Sequence, residues 1–498
     1  MATPAKVYLL GAGPGDPELV TERARRRLAE ADVVLYDALV HADVLRLCKP
    51  GAQLVPAPEQ QVELAARVVL EASAGRVVAR LRVGDGCSAR DSEEAEHLAE
   101  SGLAFEIVPG VSEPSAVAAY AGIALAHGKL SSSIALLGDE DGAQDWGKLA
   151  TSTQTLVVHL GTRDLDSLMR RLVVHGRAAS TPAAVVQWVS LPAQRVVVGT
   201  VGTIAGLAHG AGLGRPALAV VGDVVTLRAT LDWYEGQPLF GRRVLVTRTE
   251  RQADRMAELL RDAGAEPVRS PTIRLAPADD TARVARAAAE VGSYDWVVLT
   301  SANGVEAFFG ALARSGHDAR ALGRARVCAI GPGTAAALAR EGVRADVVPE
   351  EFRGEAAAAA ILAAHGGPVT GARVLLPRAA VARDVLPETL RAAGALVDVV
   401  AVYRTLPPPE ADLARLRALC AAREIDVVTF TSSSTVDNLV SALGDDARRL
   451  LEPLVVASIG PITTDTARRH GLTVAVTATE YTIDGLVAAL TRHFAENR

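Results

Sequence analysis

A strand–turn–helix motif occurs twice in the second half of this 498-residue chain, as IGPGTAAALAREG at residues 330–342 and IGPITTDTARRHG at residues 459–471. Two other pairs of segments repeat in the same order and at nearly the same spacing. They are VLVTR and VLLPR, ending at Arg248 and Arg378, and LTSANGV and FTSSSTV, containing Ser301 and Ser432. Three matched pairs about 130 residues apart indicate an internal duplication, because a chance match would repeat one segment only.

The duplicated unit alternates apolar segments with amphipathic ones. VLVTR precedes QADRMAELLRDAGA, VLLPR precedes RDVLPETLRAAGA, and each amphipathic segment closes near a glycine, as helices often do. Alternating strands and helices predict a doubly wound parallel sheet. We therefore expect a pair of similar α/β domains from about Phe240 onward.

The repeated motifs all fall where ligands bind in open α/β sheets, beyond the carboxyl ends of the strands. The candidate binding residues there are Arg248, Thr300, Ser301, Thr334, Arg378, Ser432, Ser433, Gly460 and Thr463. Hydroxyl groups and the free backbone N–H groups of a helix start suit anions. Each serine or threonine could instead serve only as a helix N-cap. The two matched sets favour a two-lobed cleft for a flexible polyanion.

Composition excludes several other classes of protein. No run of about eighteen apolar residues is present, so we expect no membrane span. The formal net charge of −6 comes without a basic block, so we expect no nucleic-acid partner. The four cysteines (Cys48, Cys87, Cys328 and Cys420) are isolated, which predicts a reducing cytoplasm and no metal site. The first residues, MATPAKVYLLGAG, lack a signal-peptide profile, which agrees with a cytoplasmic location.

Together, the segments VLVTR, TSANGV, AIGPGTAAAL, VYRT, TFTSSSTV, SIGPITTDTARRHGL and EYTIDGLVAAL resemble uroporphyrinogen-III synthase over about residues 240–492. The resemblance implies two α/β domains joined by a pair of linker strands. One domain would take residues 242–272 together with 407–498, and the other would take residues 276–402. The segments SPTIRLAP and VVAVYRTLPPP would be the linker strands.

This family closes hydroxymethylbilane, a linear tetrapyrrole with eight carboxylates, into uroporphyrinogen III, with loss of water, inversion of the last ring and no cofactor. The resemblance implies that Tyr403 assists the loss of water, since a neutral phenol can donate a proton near pH 7. It makes Thr463, in the second turn, a further catalytic residue. The carboxylate ligands that it implies are Ser301, Asn303, Ser432 and Ser433. Tyr403 could instead only pack at the hinge between the two domains.

The first half of the chain opens with VYLLGAGPGDPELVTERARRRL, which predicts a strand, a glycine-rich turn and a helix. Alone, this turn is a weak dinucleotide signal, because the usual GxGxxG spacing is absent. With RLRVGDG, FEIVPGVSEPSAVAAY, VVHLGT and PALAVVGDVV, it resembles the tetrapyrrole methylases, specifically uroporphyrinogen-III C-methyltransferase, as a domain of residues 1–237. The resemblance implies S-adenosylmethionine as the methyl donor. The site residues that it implies are Pro14, Asp16, Asp37, Gly84, Asp85, Ser112 and Leu160.

Several positions depart from the methylase pattern. Glu59 replaces a lysine, the basic loop that should follow it is missing, and Val83 replaces a glycine that would let the backbone approach a ligand. The family's threonine–small-residue pair reads Ser112-Glu113, and Leu160 replaces a methionine. A carboxylate in place of a lysine repels an anionic substrate. We interpret this domain as a methylase fold with decayed cofactor and catalytic loops, which leaves the binding of S-adenosylmethionine open.

Three hypotheses follow from the sequence. The chain is an active synthase whose first domain serves folding, dimerisation or the handing on of substrate, with a homodimer through that domain as one option. Alternatively, it is a bifunctional enzyme that also methylates uroporphyrinogen III to precorrin-2. The third hypothesis, a non-catalytic tetrapyrrole-binding scaffold, would require decayed motifs in the second half, and those motifs are intact.

Overall fold

A computed structural model describes residues 6–58, 60–138, 144–161, 164–248, 250–351 and 353–497. Contacts between Cα atoms divide the chain into two compact units. The first comprises Met1–Val244, Ala257–Val268 and Val487–Arg498, and the second comprises Leu245–Met256 and Arg269–Leu486. Within the described ranges, none of the helices has the length and apolar character needed to cross a membrane.

The strands in the first half of the chain form two five-stranded sheets. They are β1 (Lys6–Gly11), β2 (Val33–Tyr36), β3 (Gln53–Pro56), β4 (Val78–Arg82), β5 (Ala104–Val108), β6 (Ile134–Leu137), β7 (Thr155–His159), β8 (Pro182–Gln187), β9 (Arg195–Thr200) and β10 (Leu218–Val221). The first sheet, ordered β3-β2-β4-β1-β5, is parallel throughout. The second, ordered β6-β7-β10-β8-β9, is mixed, because β6 and β7 run parallel whereas the other three neighbouring pairs run antiparallel.

The strands in the second half form two more five-stranded sheets. They are β11 (Arg243–Val246), β12 (Glu266–Arg269), β13 (Arg274–Pro277), β14 (Trp296–Leu299), β15 (Arg326–Ala329), β16 (Arg373–Ala379), β17 (Leu396–Leu406), β18 (Val427–Phe430), β19 (Val455–Ser458) and β20 (Val474–Thr477). The third sheet is ordered β12-β11-β18-β19-β20 and the fourth β13-β17-β16-β14-β15. The predicted α/β class with parallel sheets is confirmed. The fourth sheet adds one antiparallel pair, β13 with β17, which the alternation of strands and helices did not predict.

Helices connect most of these strands. They are α1 (Glu22–Glu30), α2 (Ala42–Leu45), α3 (Gln61–Ser73), α4 (Ala89–Glu100), α5 (Glu113–Tyr120), α6 (Trp146–Ser152), α7 (Leu165–Val174), α8 (Ile204–Gly210), α9 (Arg228–Leu231), α10 (Glu250–Asp262), α11 (Thr281–Ala289), α12 (Ala302–Arg314), α13 (Pro332–Arg340), α14 (Gly354–His365), α15 (Val385–Ala392), α16 (Glu410–Ala421), α17 (Ser433–Leu443), α18 (Ala447–Leu451), α19 (Pro461–Arg469) and α20 (Ile483–Glu496). Parallel strands need such crossovers, because a tight turn can join only antiparallel neighbours.

Strand β14 illustrates why the parallel strands consist of continuous apolar residues. Successive side chains of a strand point to opposite faces of the sheet. Trp296 shares one buried cluster with Ile361 of α14, and the next residue, Val297, shares another with Phe308 of α12. Helices therefore cover both faces of the sheet, and every residue of this strand is apolar.

The chain passes from the third sheet to the fourth after β12 and returns after β17. Strands β13 and β17 pair antiparallel, with Arg274 opposite Leu406 and Pro277 opposite Tyr403. On its other side β17 runs parallel to β16. Tyr403 therefore lies on a strand that is fixed by neighbours on both sides.

Candidate active site

The first group of predicted residues lies where β14 ends and α12 begins. Ser301 is the N-cap of α12, and its hydroxyl accepts a hydrogen bond from the Gly304 N–H at 3.0 Å. An N-cap serine satisfies a backbone donor that the helix itself leaves unpaired. Thr300 precedes the cap, and Asn303 lies in the first turn of the helix. The structure therefore brings these three predicted residues to one strand end.

Tyr403 joins this group from 102 residues further along the chain. Its hydroxyl oxygen lies 3.1 Å from the Ser301 hydroxyl oxygen. The residue is only 9% exposed, and its ring belongs to the buried cluster that contains Leu299 and Phe308. Its backbone carbonyl accepts a hydrogen bond from the Ala380 N–H at 2.9 Å. The ring thus packs in the core, while the hydroxyl contacts Ser301 at the end of β14.

The same turn recurs in the third sheet, between β18 and α17. Ser432 is the N-cap, and its hydroxyl accepts a hydrogen bond from the Thr435 N–H at 3.3 Å. The Thr435 hydroxyl accepts one from the Ser432 N–H at 3.2 Å, which completes a capping box. The Ser432 hydroxyl oxygen lies 3.0 Å from that of Ser434. The duplicated caps therefore share their geometry but have different hydroxyl neighbours.

Ser433 connects the starts of two helices. Its hydroxyl donates to the Ile462 carbonyl at 3.4 Å and accepts from the Thr466 hydroxyl at 2.8 Å, and both of these residues lie in α19. The structure thus brings Ser433 to the second Gly-Pro-x-Thr turn, where Gly460 and Thr463 lie.

The two Gly-Pro-x-Thr turns begin α13 and α19, each with proline at the first helical position, where its missing N–H costs no hydrogen bond. A β-carbon at Gly460 would lie 2.9 Å from the Tyr481 ring, so a larger residue there would displace that ring. Thr334 and Thr463 are each 5% exposed. Within the described ranges, neither hydroxyl forms a hydrogen bond with another side chain.

The residue after Thr463 has a different role. The Thr464 hydroxyl lies 2.5 Å from that of Ser458 and 2.8 Å from that of Thr477, which makes a chain of hydroxyl groups. The corresponding residues in the first copy are Ala329, Ala335 and Val348. Hydroxyl groups therefore hold the second turn to its sheet, and this chain of hydroxyl groups has no counterpart in the first copy.

The two predicted arginines lie at matching strand ends with different surroundings. Arg378, 9% exposed, donates to the Arg383 carbonyl at 2.8 Å and forms an ion pair with Asp384. It thereby closes its own loop, a contact that the sequence did not predict. Arg248 follows β11, and burial lowers the pKa of its guanidinium group.

In the first sheet, three glycine-containing loops pack against one another. Gly13 and Gly84 exchange backbone hydrogen bonds of 2.9 and 3.0 Å, and the Gly110 N–H donates to the Asp85 carbonyl at 3.0 Å. A β-carbon at Gly11 would lie 2.4 Å from the Gly110 nitrogen, so only glycine fits there. Gly13 and Gly84 have φ values of 73° and 78°, a region that favours glycine. The loops that hold Gly84 and Asp85 are thus brought to the GAGPGD turn.

Asp16, in that turn, contacts the second sheet. Pro14 before it is buried. The Asp16 carboxylate accepts a hydrogen bond from the Glu18 N–H at 2.9 Å, and the Asp16 N–H donates to the Ser190 hydroxyl at 3.3 Å. Burial raises the pKa of the Asp16 carboxyl group.

Asp37 belongs to a network of ion pairs. Its carboxylate lies 2.5 Å from the Arg80 guanidinium, which is also 3.4 Å from Glu94. Arg82 pairs with Asp91 at 2.6 Å and with Glu94 at 3.3 Å. Burial raises the pKa of the Glu94 carboxyl group, and the two arginines oppose that shift. Neither here nor elsewhere in the described ranges does a group of His, Cys, Asp and Glu side chains suit a metal ion.

Ser112 is the N-cap of α5, and the residue after it places a carboxylate among the loops. A β-carbon at Gly84 would lie 3.7 Å from a Glu113 carboxylate oxygen, and the His159 Nδ1 lies 3.5 Å from the same oxygen. Burial raises the pKa of the Glu113 carboxyl group, Asp85 raises it further, and His159 opposes both. The sequence identified Glu113 only as a departure from a pattern. Its position just after the capping serine is the signal that places it in the site.

The remaining positions of the methylase pattern either pack in the core or fall outside the described residues. Val83 packs against the apolar cluster of the first sheet, which contains Leu81. Leu160 is 3% exposed and belongs to a core cluster with Met169, so it is first of all a packing residue. Glu59 lies outside the described residues.

Comparisons with known proteins cover both halves of the chain. Residues 254–488 match the family described as Uroporphyrinogen-III synthase HemD, and residues 6–205 match Tetrapyrrole (Corrin/Porphyrin) Methylases. The chain is 33% identical over 499 residues to the Porphyrin biosynthesis protein HemD of Ruminiclostridium josui, with 97% of each chain covered. It is 38% identical to a Uroporphyrinogen-III C-methyltransferase of Bacillus subtilis (strain 168), covering 47% of this chain and 95% of that one. The solved structures include Uroporphyrin-III C-methyl transferase from Thermus thermophilus complexed with S-adenyl homocysteine (36% identity, TM-score 0.40, 45% of this chain and 99% of that one covered).

The two family matches, one over a methylase-type pair of sheets and one over a duplicated α/β pair, identify a protein of tetrapyrrole biosynthesis. More particularly, the chain belongs to the family of the porphyrin biosynthesis protein HemD, because its similarity to that relative extends over nearly all of both chains. Both resemblances predicted from the sequence are confirmed.

Proposed function

We propose that this chain is a uroporphyrinogen-III synthase that closes hydroxymethylbilane with loss of water. The observation that carries the proposal is the Tyr403 hydroxyl, held 3.1 Å from that of Ser301 at the start of α12. The match of residues 254–488 to the synthase family supports the same reaction. The reaction needs a proton donor beside a site that binds carboxylates, and this strand end offers both.

The substrate carries eight carboxylates, so binding requires many donors of hydrogen bonds. Helix starts expose backbone N–H groups and carry partial positive charge, and each Gly-Pro-x-Thr turn adds a hydroxyl. One set of such groups lies on the third sheet, with Ser432, Ser433 and Thr463, and the other lies on the fourth, with Ser301 and Thr334. We infer that the bound substrate bridges the two sets, which brings its two ends together for closure.

Tyr403 acts as the general acid in this proposal. It donates its proton to the terminal hydroxyl group of the substrate as the C–O bond breaks, so water leaves and an azafulvene cation forms. The substituted α-carbon of the last pyrrole ring attacks that cation and forms a spiro intermediate. The bond from this carbon to its original methylene then breaks, which leaves a second azafulvene cation on the neighbouring ring, and the unsubstituted α-carbon of the inverted ring attacks it to close the macrocycle. The proton released when the closed ring regains its aromaticity returns to the phenolate.

The first domain, in our proposal, transfers methyl groups slowly or not at all. S-adenosylmethionine would lie against the loops of Pro14, Gly84 and Asp85, and there the Glu113 carboxylate adjoins Asp85. The methylase pattern has a small residue where Glu113 stands, so the longer side chain leaves less room for the cofactor. The strands and cores of both sheets are complete, so the fold persists without the activity.

We propose that the chain works in the cytoplasm as a homodimer formed through its first domain. Leu136 and Val198 lie on one face of the second sheet, because they are linked through paired residues of β7, β10 and β8. They are 58% and 47% exposed. They lie on the two edge strands, β6 and β9, separated by buried residues, so the proposal rests on the resemblance of this domain to the methylases. The domain division stays as proposed from the sequence: residues 1–237, residues 242–272 with 407–498, and residues 276–402.

The experiment that tests the main proposal supplies the full-length chain with hydroxymethylbilane and separates the isomers of the product after oxidation. We expect the type III isomer at a rate proportional to protein concentration. The type I isomer forms without an enzyme, so a product consisting of type I alone would refute the assignment.

A second candidate function is methylation of uroporphyrinogen III to precorrin-2. The 38% identity to a Uroporphyrinogen-III C-methyltransferase over 95% of that protein favours it. Adding labelled S-adenosylmethionine to the same reaction distinguishes the two proposals. We expect no label in the tetrapyrrole fraction, and transfer at a rate comparable to closure would establish the bifunctional enzyme.

A further inference from the structure

We propose that Ser301 is a positioning residue for Tyr403, beyond its predicted role as a carboxylate ligand. It orients the phenol toward the substrate and stabilises the phenolate that forms when the phenol gives up its proton. This inference rests on the proposed synthase function. The observation behind it is the 3.1 Å separation of the two hydroxyl oxygens.

Either hydroxyl is chemically able to donate in this contact, and our proposal assigns the donor role to Ser301. A serine hydroxyl has one proton to donate and two lone pairs to accept with. One lone pair accepts the Gly304 N–H at 3.0 Å, as the cap of α12 requires. The serine proton is then free to point at the Tyr403 oxygen. In that arrangement the phenol proton is not used within the protein and is directed to the substrate.

The same bond gains strength as the reaction proceeds. Loss of the phenol proton turns the serine–tyrosine contact into a hydrogen bond to a charged oxygen, which is roughly twice as strong as a neutral one. Ser301 also stands at the N-terminus of a 13-residue helix, whose dipole favours negative charge there. Only 9% of Tyr403 is exposed, so little water competes for the phenolate. These effects act on the charged state that forms in the reaction and little on the bound substrate.

The duplicated copy supplies an internal comparison. Ser432 caps α17 as Ser301 caps α12, but its hydroxyl neighbour is Ser434 at 3.0 Å, and no tyrosine. Both serines share the roles of cap and proposed carboxylate ligand. Only Ser301 has the phenol beside it. A comparison of the two alanine variants therefore isolates the contribution that acts through Tyr403.

The test uses the full-length chain and measures the initial rate of type III product. For Ser301→Ala we expect kcat to fall about tenfold with KM within about threefold of wild type, and for Ser301→Thr we expect kcat to recover, because threonine keeps the hydroxyl. Ser432→Ala should instead raise KM while kcat stays within about twofold. Asp280→Ala, which removes the N-cap of α11 in the same sheet region, should leave both constants unchanged.

A double variant tests whether Ser301 acts through Tyr403 or contributes to catalysis independently of it. In a Tyr403→Phe background, Ser301→Ala should lower kcat by less than about twofold, because the phenol through which it acts is already gone. Full additivity of the two losses, or equal losses of kcat in Ser301→Ala and Ser432→Ala, would overturn the inference and leave Ser301 a ligand or a cap. If the wild-type chain forms no type III isomer, the proposed function itself fails, so the two failures are distinguishable.

Discussion

The loops of the first sheet and the turns of the third and fourth sheets occupy the same place in their folds, the carboxyl ends of parallel strands, but their polar groups differ in kind. The first set is charged: Arg80 and Glu94 are buried, and Arg80 pairs with both Glu94 and Asp37. The second set consists mostly of hydroxyl groups and helix starts, such as Ser301 and Thr463, with Arg248 and Arg378 as its charged members. A buried charge must be paired to be tolerated, whereas a hydroxyl at a helix start can keep bonding capacity for a ligand.

The same position in the fold is therefore used for structural ion pairs in the first sheet and for the proposed substrate site in the third and fourth sheets. Paired charges hold the loops of the first sheet to one another and leave little for an incoming molecule. The strand ends of the third and fourth sheets carry few charges of their own, and they suit a substrate that brings eight. The following predictions test that contrast, beginning with the largest expected effect.

Replacing Tyr403 with phenylalanine should cause the largest loss. The ring would still fill the cluster around Leu299, so we expect the fold to be unchanged. The proton donor would be gone, and kcat for the type III isomer should fall at least about tenfold, or about 1.4 kcal/mol of barrier.

The matched control is Tyr294→Phe. The Tyr294 hydroxyl donates to Asp398 at 2.8 Å in the same sheet region, so its loss should lower the melting temperature slightly and leave kcat unchanged. Full activity of the Tyr403 variant would instead assign that tyrosine to packing alone.

Thr463 and its neighbour Thr464 should separate binding from stability. Thr463→Val removes a hydroxyl of the proposed substrate site, so we expect kcat/KM to fall about fivefold, or about 1 kcal/mol, without a change in melting temperature. Thr464→Val breaks the hydroxyl chain with Ser458 and Thr477, so it should destabilise the fold by about 1–2 kcal/mol and keep its activity.

We would measure the rate of type III product and the melting temperature for both threonine variants. Greater loss of activity in the Thr464 variant than in the Thr463 variant would contradict the assignment of the two hydroxyls.

Glu113→Gln should have the smallest effect, and it should depend on pH. Burial and Asp85 raise the pKa of the Glu113 carboxyl group in the folded chain, and His159 only partly offsets this. The folded state therefore holds that proton more tightly than the unfolded state, and stability falls as pH rises from the unfolded pKa through the folded pKa. Glutamine cannot ionise, so the variant should be the more stable above that range, by about 1 kcal/mol or less, and equal to wild type below it.

Melting temperatures of both chains at pH 4 and pH 8 measure this difference. An advantage for glutamine at pH 4 that vanishes at pH 8 would have the wrong sign and would show that Glu113 is stabilised as the charged form.

The sequence predicted much of the fold because the same strand, helix and turn motifs occur in both copies of the duplicated unit. Apolar runs, glycine-closed helices and Gly-Pro turns marked the strand ends, and the α/β class is confirmed. The contact between Ser301 and Tyr403 could not be predicted, because it depends on the register of β17 against β13 and β16. The hydrogen bond from Arg378 to the Arg383 carbonyl could not be predicted either, because a sequence does not show which acceptor a guanidinium group will contact.

The pairing of β13 with β17 has a consequence for how the chain folds during synthesis. All strands of the fourth sheet come from one continuous stretch, from Arg274 to Leu406, and its two ends meet in that pair. Strands β11 and β12 are synthesised first, but β18, which pairs with β11, follows about 160 residues later. At usual rates of translation this interval lasts roughly 10–30 s. We expect the fourth sheet to close on the ribosome while the edge of β11 is still unpaired, so a pause in translation before β18 prolongs the period in which the nascent chain can aggregate.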